Sequence, residues 1–208
     1  MRAILCVLLA VFAAPALAVA PVVGGPCEGC EAIFDLRGPA PVGTARLAPD
    51  GAAGQPMLLR GVVRGRDGHA VGGVIVYGYQ TNAAGIYEPD EKAPSRAGRR
   101  HGRYRGWVQT DAEGRFELRT VRPGGYPASD LPAHIHLHVL EPGCATYYLE
   151  DVTFTDDARL TEAQRRAVAN GRGGSGVTTP QRIAGVWHVQ RDIRLGQGIE
   201  GYPDCGGN

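Results

Sequence analysis

Gly125-Tyr126-Pro127, followed by Pro132-Ala133-His134-Ile135-His136-Leu137-His138, is the stretch whose reading decides the fold. Residues i and i+2 of a β-strand share a face. His134 and His136 therefore project side by side, and His138 can join them. Ala133, Ile135 and Leu137 point the opposite way, toward a core. Alternation of this kind predicts a strand with one buried face. Tyr126 stands eight positions before His134, behind a loop holding Pro127 and Pro132. The arrangement gathers polar ligands around one point. Taken alone, the histidines allow several metals, and a zinc site on His134, His136 and His138 is among them, since imidazole suits zinc.

The neighbouring segments are also β in pattern. Leu59, Gly61 and Val63 alternate with Arg60 and Arg64, and Asp67-Gly68 is turn chemistry. Val74 to Tyr79 is apolar on both faces, as a central strand would be. A loop dense in proline, glycine and charge follows, from about Thr81 to His101. Such length in a compact domain often serves function. Trp107-Val108 lies in a short strand, and Phe116-Glu117-Leu118-Arg119 alternates as a half-buried one. A strand is expected over Ala145 to Phe154. In the last strand, Trp187, Val189, Ile193 and Leu195 share a face with Arg191. One helix is expected from Thr161, where Thr161 and Gln164 form a capping box and Gly171 suits the C-terminal cap. Many short strands with a single helix predict an all-β fold, a β-sandwich with one short helix and long loops.

The chain has 208 residues and a formal net charge of +1. That length suits one domain with a real core. The charge provides no electrostatic case for nucleic acid or an anionic membrane. Residues 1–18 read as a signal peptide: Arg2, an apolar run from Ala3 to Ala14, and a small-x-small site at Ala16-Leu17-Ala18. The expectation is a secreted or periplasmic protein with no membrane partner once the signal is removed. Residues 19–55 read as an extended N-terminal arm and 56–208 as the β-sandwich domain. Cys27, Cys30, Cys144 and Cys205 remain after export, an even number, and predict disulfides without specifying which of three pairings forms. Cys27-Glu28-Gly29-Cys30 could also be a redox pair or half a zinc site, but no second C-x-x-C and no βαβ pattern accompanies it.

Three blocks carry a resemblance. Gly72 to Tyr87, Arg105-Gly106 with Thr110 to Phe116, and Thr120 to Pro127 with Pro132 to His136 resemble, in order, the signatures of intradiol ring-cleavage dioxygenases. The resemblance runs from about Gly61 to about Phe154, with a weaker echo at Arg191-Asp192-Ile193. It implies one mononuclear non-haem Fe(III) ion held by Tyr87, Tyr126, His134 and His136. The implied reaction opens a catechol ring with O2 between its two hydroxylated carbons, giving a muconate-type diacid. Tyr126 would be displaced by the substrate and take its proton, while Tyr87 stays bound. The chemistry is coherent: a hard trivalent cation favours anionic oxygen, a bound cation removes a phenol's proton, and two phenolates disfavour reduction of the metal.

Leu131 departs from the family pattern, since many members carry an arginine at that position. Asp151 stands where intracellular members often carry that arginine's glutamine partner. Arg105 is the first candidate to replace the missing guanidinium, Arg191 the second, and Arg103 a third. The helical region of catechol-type members has no counterpart here, which implies a compact secreted branch acting on catechols from aromatic or lignin-like breakdown. The rival from another class is a non-catalytic secreted β-sandwich binding module that retains the motif. Tyr77, Tyr79, Tyr104, Tyr147, Tyr148, Tyr202, His69, His101 and His188 read as packing or surface residues, and His138 as an outer neighbour of the site.

Overall fold

The computed structural model describes residues 20–27 and 29–205, so the expected signal peptide lies outside the described residues. Two six-stranded sheets face each other. The first contains β1 (Thr44–Arg46), β2 (Pro56–Arg64), β5 (Arg115–Val121), β10 (Gln181–Ile183), β11 (Val186–Gln190) and β12 (Ile193–Arg194). Its order is β1-β5-β2-β11-β10, and β12 continues along β2. The second contains β3 (Ile75–Gln80), β4 (Arg105–Gln109), β6 (His134–Leu140), β7 (Thr146–Tyr148), β8 (Val152–Phe154) and β9 (Val177–Thr178). Its order is β4-β3-β6-β8-β9, with β7 also on β6. This is the expected β-sandwich.

The core lies between the sheets. Leu59, Val63, Phe116 and Leu118 enter it from one side, and Val76, Val108, Ile135, Leu137 and Val139 from the other. On β6, Ile135, Leu137 and Val139 are sealed from solvent, so the alternate histidines must lie on the outer face. Strand β3 is central, between β4 and β6, and both of its faces are covered. Val76 faces the inter-sheet core. Tyr77 and Tyr79 on the other face are packed beneath Ala32, Ile33 and Ala97. Those covering residues come from a 3-10 turn, Cys30–Asp35, and a short helix α1, Arg96–His101.

Five details differ from expectation. The segment read as an extended arm carries the 3-10 turn and β1, and β1 pairs in parallel with β5. The loop from Thr81 to His101 contains α1, capped by Ser95, whose Oγ accepts from the Gly98 N–H. Six residues are too few to show a helical period. Helix α2 (Glu162–Ala167) has the expected capping box but ends at Val168, before Gly171. The last strand breaks into β11 and β12 because Arg191 and Asp192 cross over Gly61. A Cβ at Gly61 would lie 1.9 Å from the Arg191 carbonyl oxygen, so only glycine admits this crossing. The expected strand over Ala145 to Phe154 likewise divides, into β7 and β8. The disulfides are Cys27–Cys30 and Cys144–Cys205, one of the three pairings left open.

Candidate metal centre

The outer face of β6 carries His134 and His136, both half-buried. Two loops bring tyrosines to them. The loop after β3 is knotted by Asn82, whose Oδ1 accepts from the Ala84 and Ile86 N–H groups and thereby sets the turn that delivers Tyr87. The loop after β5 delivers Tyr126. The two loops touch through glycine: Gly85 is left-handed at φ 80°, and a Cβ there would lie 2.1 Å from the Gly125 carbonyl oxygen. The Gly124 N–H donates to the Asn82 carbonyl at 3.0 Å, and the Thr81 hydroxyl donates to the Gly124 carbonyl at 2.7 Å. The tyrosines are thus locked backbone to backbone.

Four donor atoms form a ring. Tyr87 Oη lies 3.1 Å from Tyr126 Oη, which lies 3.2 Å from His134 Nε2. That nitrogen is 3.1 Å from His136 Nε2, which is 3.0 Å from Tyr87 Oη. The structure thus brings together Tyr87, Tyr126, His134 and His136. Each histidine is oriented from behind. His134 Nδ1 is 2.8 Å from the Pro132 carbonyl, which can only accept, so Nδ1 carries the proton. His136 Nδ1 is 2.8 Å from Asp151 Oδ1, and the same reasoning applies. Both Nε2 atoms therefore present lone pairs, aimed at each other with no proton between them. The tyrosine protons can satisfy the nitrogens, but the N–N and O–O approaches remain unfavourable without a cation. A hard cation among two phenol oxygens and two imidazole nitrogens relieves both, so the donor set fits a trivalent iron.

The electrostatics agree with this chemistry. Burial pushes the Tyr87 phenol well above its ordinary value, and the neighbouring Tyr126 hydroxyl adds to this. A phenolate there needs a cation beside it. Burial and the neighbouring His136 hold His134 below the ordinary imidazole range, which favours the neutral form that a metal requires. Burial opposes the Asp151 charge, yet the His136 hydrogen bond and the surrounding histidines hold its carboxyl below the usual range.

The ring opens on a cleft of about 550 Å³, lined by Tyr79, Arg100, His101, Tyr148 and Asp151 among others. His138 also faces this cleft, outside the ring, and burial depresses it to about 3. Cys27 lines the cleft too, but it is closed in a disulfide with Cys30, and the ligand atoms of His134 and His136 group with Asp151 while His138 stands apart from them. Three expected arginines do not line the cleft. Arg105 is nine-tenths buried between Asp35, at 3.3 Å, and Asp90, at 2.9 Å. Its guanidinium also sits over Trp107. Arg191 is sealed in the core, where its guanidinium donates to the backbone carbonyls of Gly173 and Gly174 at 3.0 and 3.2 Å. Arg103 pairs with Glu88 on the surface. Leu131 is 50% exposed and brings no charge.

Sequence reasoning missed three cleft residues. Arg100 and His101 were hidden in a helix too short to announce itself. Tyr79 read as packing, but its ring stacks on His136, centroids 4.4 Å apart, and on His101 at 3.6 Å. The strand period put Tyr79 on one face with Tyr77, but only the register of β3 on β6, which pairs Tyr79 directly with His136, brings it to the site.

Comparisons with known proteins follow the same residues. A family model described as Dioxygenase matches residues 31–175. Catechol 1,2-dioxygenase 2 of Acinetobacter lwoffii is 32% identical over 144 residues, covering 61% of this chain and 50% of the relative. The protocatechuate 3,4-dioxygenase alpha chain of Burkholderia cepacia is 32% identical over 137 residues, covering 60% of this chain and 66% of the relative. The chain thus spans only one half to two thirds of these curated relatives. Among solved structures, the fold resembles the dioxygenase domain of a dioxygenase–carbohydrate-binding fusion from the cellulolytic bacterium Streptomyces sp. SirexAA-E. The TM-score is 0.56 at 22% identity, covering 77% of this chain and 94% of that one. It also resembles catechol 1,2-dioxygenase of Acinetobacter radioresistens, with a TM-score of 0.59 at 18% identity, covering 89% and 66%.

Proposed function

The chain belongs to the intradiol dioxygenase family, and on that premise we propose that it is an Fe(III)-dependent enzyme cleaving a catecholic ring with O2 to a muconate-type diacid. The observation that carries the reading is the ring of four donor atoms contributed by separate motifs, with neighbours 3.0 to 3.2 Å apart. Tyr87, Tyr126, His134 and His136 would hold the iron. Bound there, ferric iron supplies Lewis acidity toward a catecholate and charge compensation for two phenolates.

The chain's own residues do the rest. Pro132 and Asp151 keep the Nδ1 protons in place and so keep the Nε2 lone pairs turned inward. Tyr79 fixes the plane of His136 by stacking. Tyr126 Oη is the proton acceptor for a catechol hydroxyl, because it lies on a half-exposed loop side chain beside the cleft. Tyr87 is anchored behind it by the Asn82 turn and remains in place. The apolar underside of β6 excludes water from below.

The same proposal places the mature protein outside the cytoplasm. Support comes from the N-terminal charge, apolar run and small-residue site, together with two disulfides. Amino-terminal sequencing of the exported protein should begin at Val19, and retention of Met1 would refute this part.

The test of the reaction is reconstitution with iron. The loaded protein should show a tyrosinate-to-iron charge-transfer band in the visible, which catechol shifts. It should consume one O2 per catechol and place both oxygen atoms in the diacid, read by mass spectrometry with labelled O2. A colourless protein that consumes no oxygen would overturn the proposal.

A further inference from the structure

The two histidines of the ring are backed by unlike groups. His134 donates to a neutral backbone carbonyl, that of Pro132. His136 donates to a carboxylate, Asp151 Oδ1, at 2.8 Å. This carboxylate is held by architecture. Asp151 directly precedes β8, whose Val152 is in register with Ile135 of β6. A Cβ on Gly176 would lie 2.0 Å from the Asp151 carbonyl oxygen, so the chain passing over Asp151 is pressed against it. On its ring face His136 meets Tyr79, itself stacked on His101 with an interplanar angle of 2°. His136 is therefore fixed in tautomer by Asp151 and in plane by Tyr79.

A carboxylate accepting from Nδ1–H does more than aim the ring. It draws the proton toward itself and makes Nε2 a stronger donor. It also adds a negative charge. Two phenolates would offset only two of the three charges of a ferric ion, and the Asp151 carboxylate would offset part of the remainder. Neither Arg105 nor Arg191 takes part in this balance, because both are committed elsewhere, and Leu131 is apolar.

We infer that Asp151 is the positioning residue of the centre, holding His136 as a ligand of raised donor strength and setting a negative charge directly behind it. This rests on the iron reading above, and its test separates the two. Wild type, Asp151→Asn, Asp151→Ala and Asp151→Glu are compared for iron affinity against a chelator, charge-transfer band position and midpoint potential. Asp151→Ala should weaken iron binding by about 10–100-fold. Asp151→Asn keeps an acceptor without the charge, so its band should move to longer wavelength and its potential should rise. Asp151→Glu should recover part of the affinity. Folding is checked by thermal unfolding of the metal-free forms.

Iron affinity within about twofold of wild type, with band and potential unmoved in both Asn and Ala variants, would overturn the inference. Should wild type itself bind no iron, the iron reading fails, and the Asp151 role is then read in the metal-free protein. There, 15N imidazole shifts should show His136 protonated at Nδ1 in wild type and shifted toward Nε2 in Asp151→Ala. An unchanged tautomer in that variant would sink the inference independently.

Discussion

At the scale of single residues, chemistry follows from which atoms face each other. Tyr87 Oη touches both Tyr126 Oη and His136 Nε2, so it is the corner of the ring whose loss removes an anionic donor without removing a histidine. Tyr87→Phe should fold normally, lose most of the charge-transfer absorption and lower oxygen uptake at least about tenfold, roughly 1.4 kcal/mol of barrier. Retained colour and rate would remove Tyr87 from the ligand set. Arg105 shows the opposite lesson. Its position before a matched motif suggested a catalytic cation, but the structure gives it two carboxylate partners, the buried Asp35 and the half-buried Asp90. Arg105→Ala leaves Asp35 uncompensated and should destabilise the fold by roughly 3–5 kcal/mol in urea unfolding. A variant of unchanged stability with lost turnover would return Arg105 to the reaction. The shared face of His134 and His136 was legible because strand period is a local signal, and Tyr126 was legible through the resemblance of its motif. That Asp151 and Tyr79 orient His136 was not legible, because Tyr79 reaches it from β3 and Asp151 from the residue before β8.

At the scale of elements, α1 is the piece that sequence did not reveal and the cleft needs. It carries Arg100 and His101 to the cleft wall and lies on the 3-10 turn that follows the Cys27–Cys30 disulfide. His101 is buried against Tyr79, and its Nδ1 lies 2.9 Å from Tyr77 Oη. Burial first, then the charges of His138, His136, Arg100 and Arg105, depress it from 6.5 to about 3. The sign of the consequence is fixed. Above 6.5 both folded and unfolded chains hold a neutral imidazole. As pH falls below 6.5 the unfolded chain takes up a proton that the folded one refuses, so stability is lost progressively down to about 3. The contribution is about 1.4 kcal/mol per pH unit. His101→Gln should flatten the pH slope of unfolding free energy between about pH 4 and 6 by that amount, measured by urea titration of the metal-free protein. An unchanged slope would show that His101 titrates freely.

At the scale of the whole molecule, two sheets share one core and the centre lies on the outer face of one of them. The Cys144–Cys205 disulfide ties the C-terminal segment to the turn between β6 and β7, closing a separation of 61 residues. Tyr202 and Tyr147 assist by donating to Glu141 at 3.0 and 2.6 Å. Replacing Cys144 and Cys205 by serine should cost on the order of 2–4 kcal/mol, seen as a lower denaturation midpoint with the charge-transfer band retained. Unaltered stability would show that the segment is held without the bridge. From its own order the sequence set the β class and the face on which the histidines stand, because strand period and turn chemistry are local; the grouping of Tyr87 and Tyr126 with His134 and His136 came from the motifs' resemblance to a family. The cysteine pairing, the fate of the arginines and the groups behind His136 emerged only on folding. Those depend on distances between segments far apart in the chain. A buried arginine and a cleft arginine look alike until packing shows which one has carboxylates and carbonyls waiting for it.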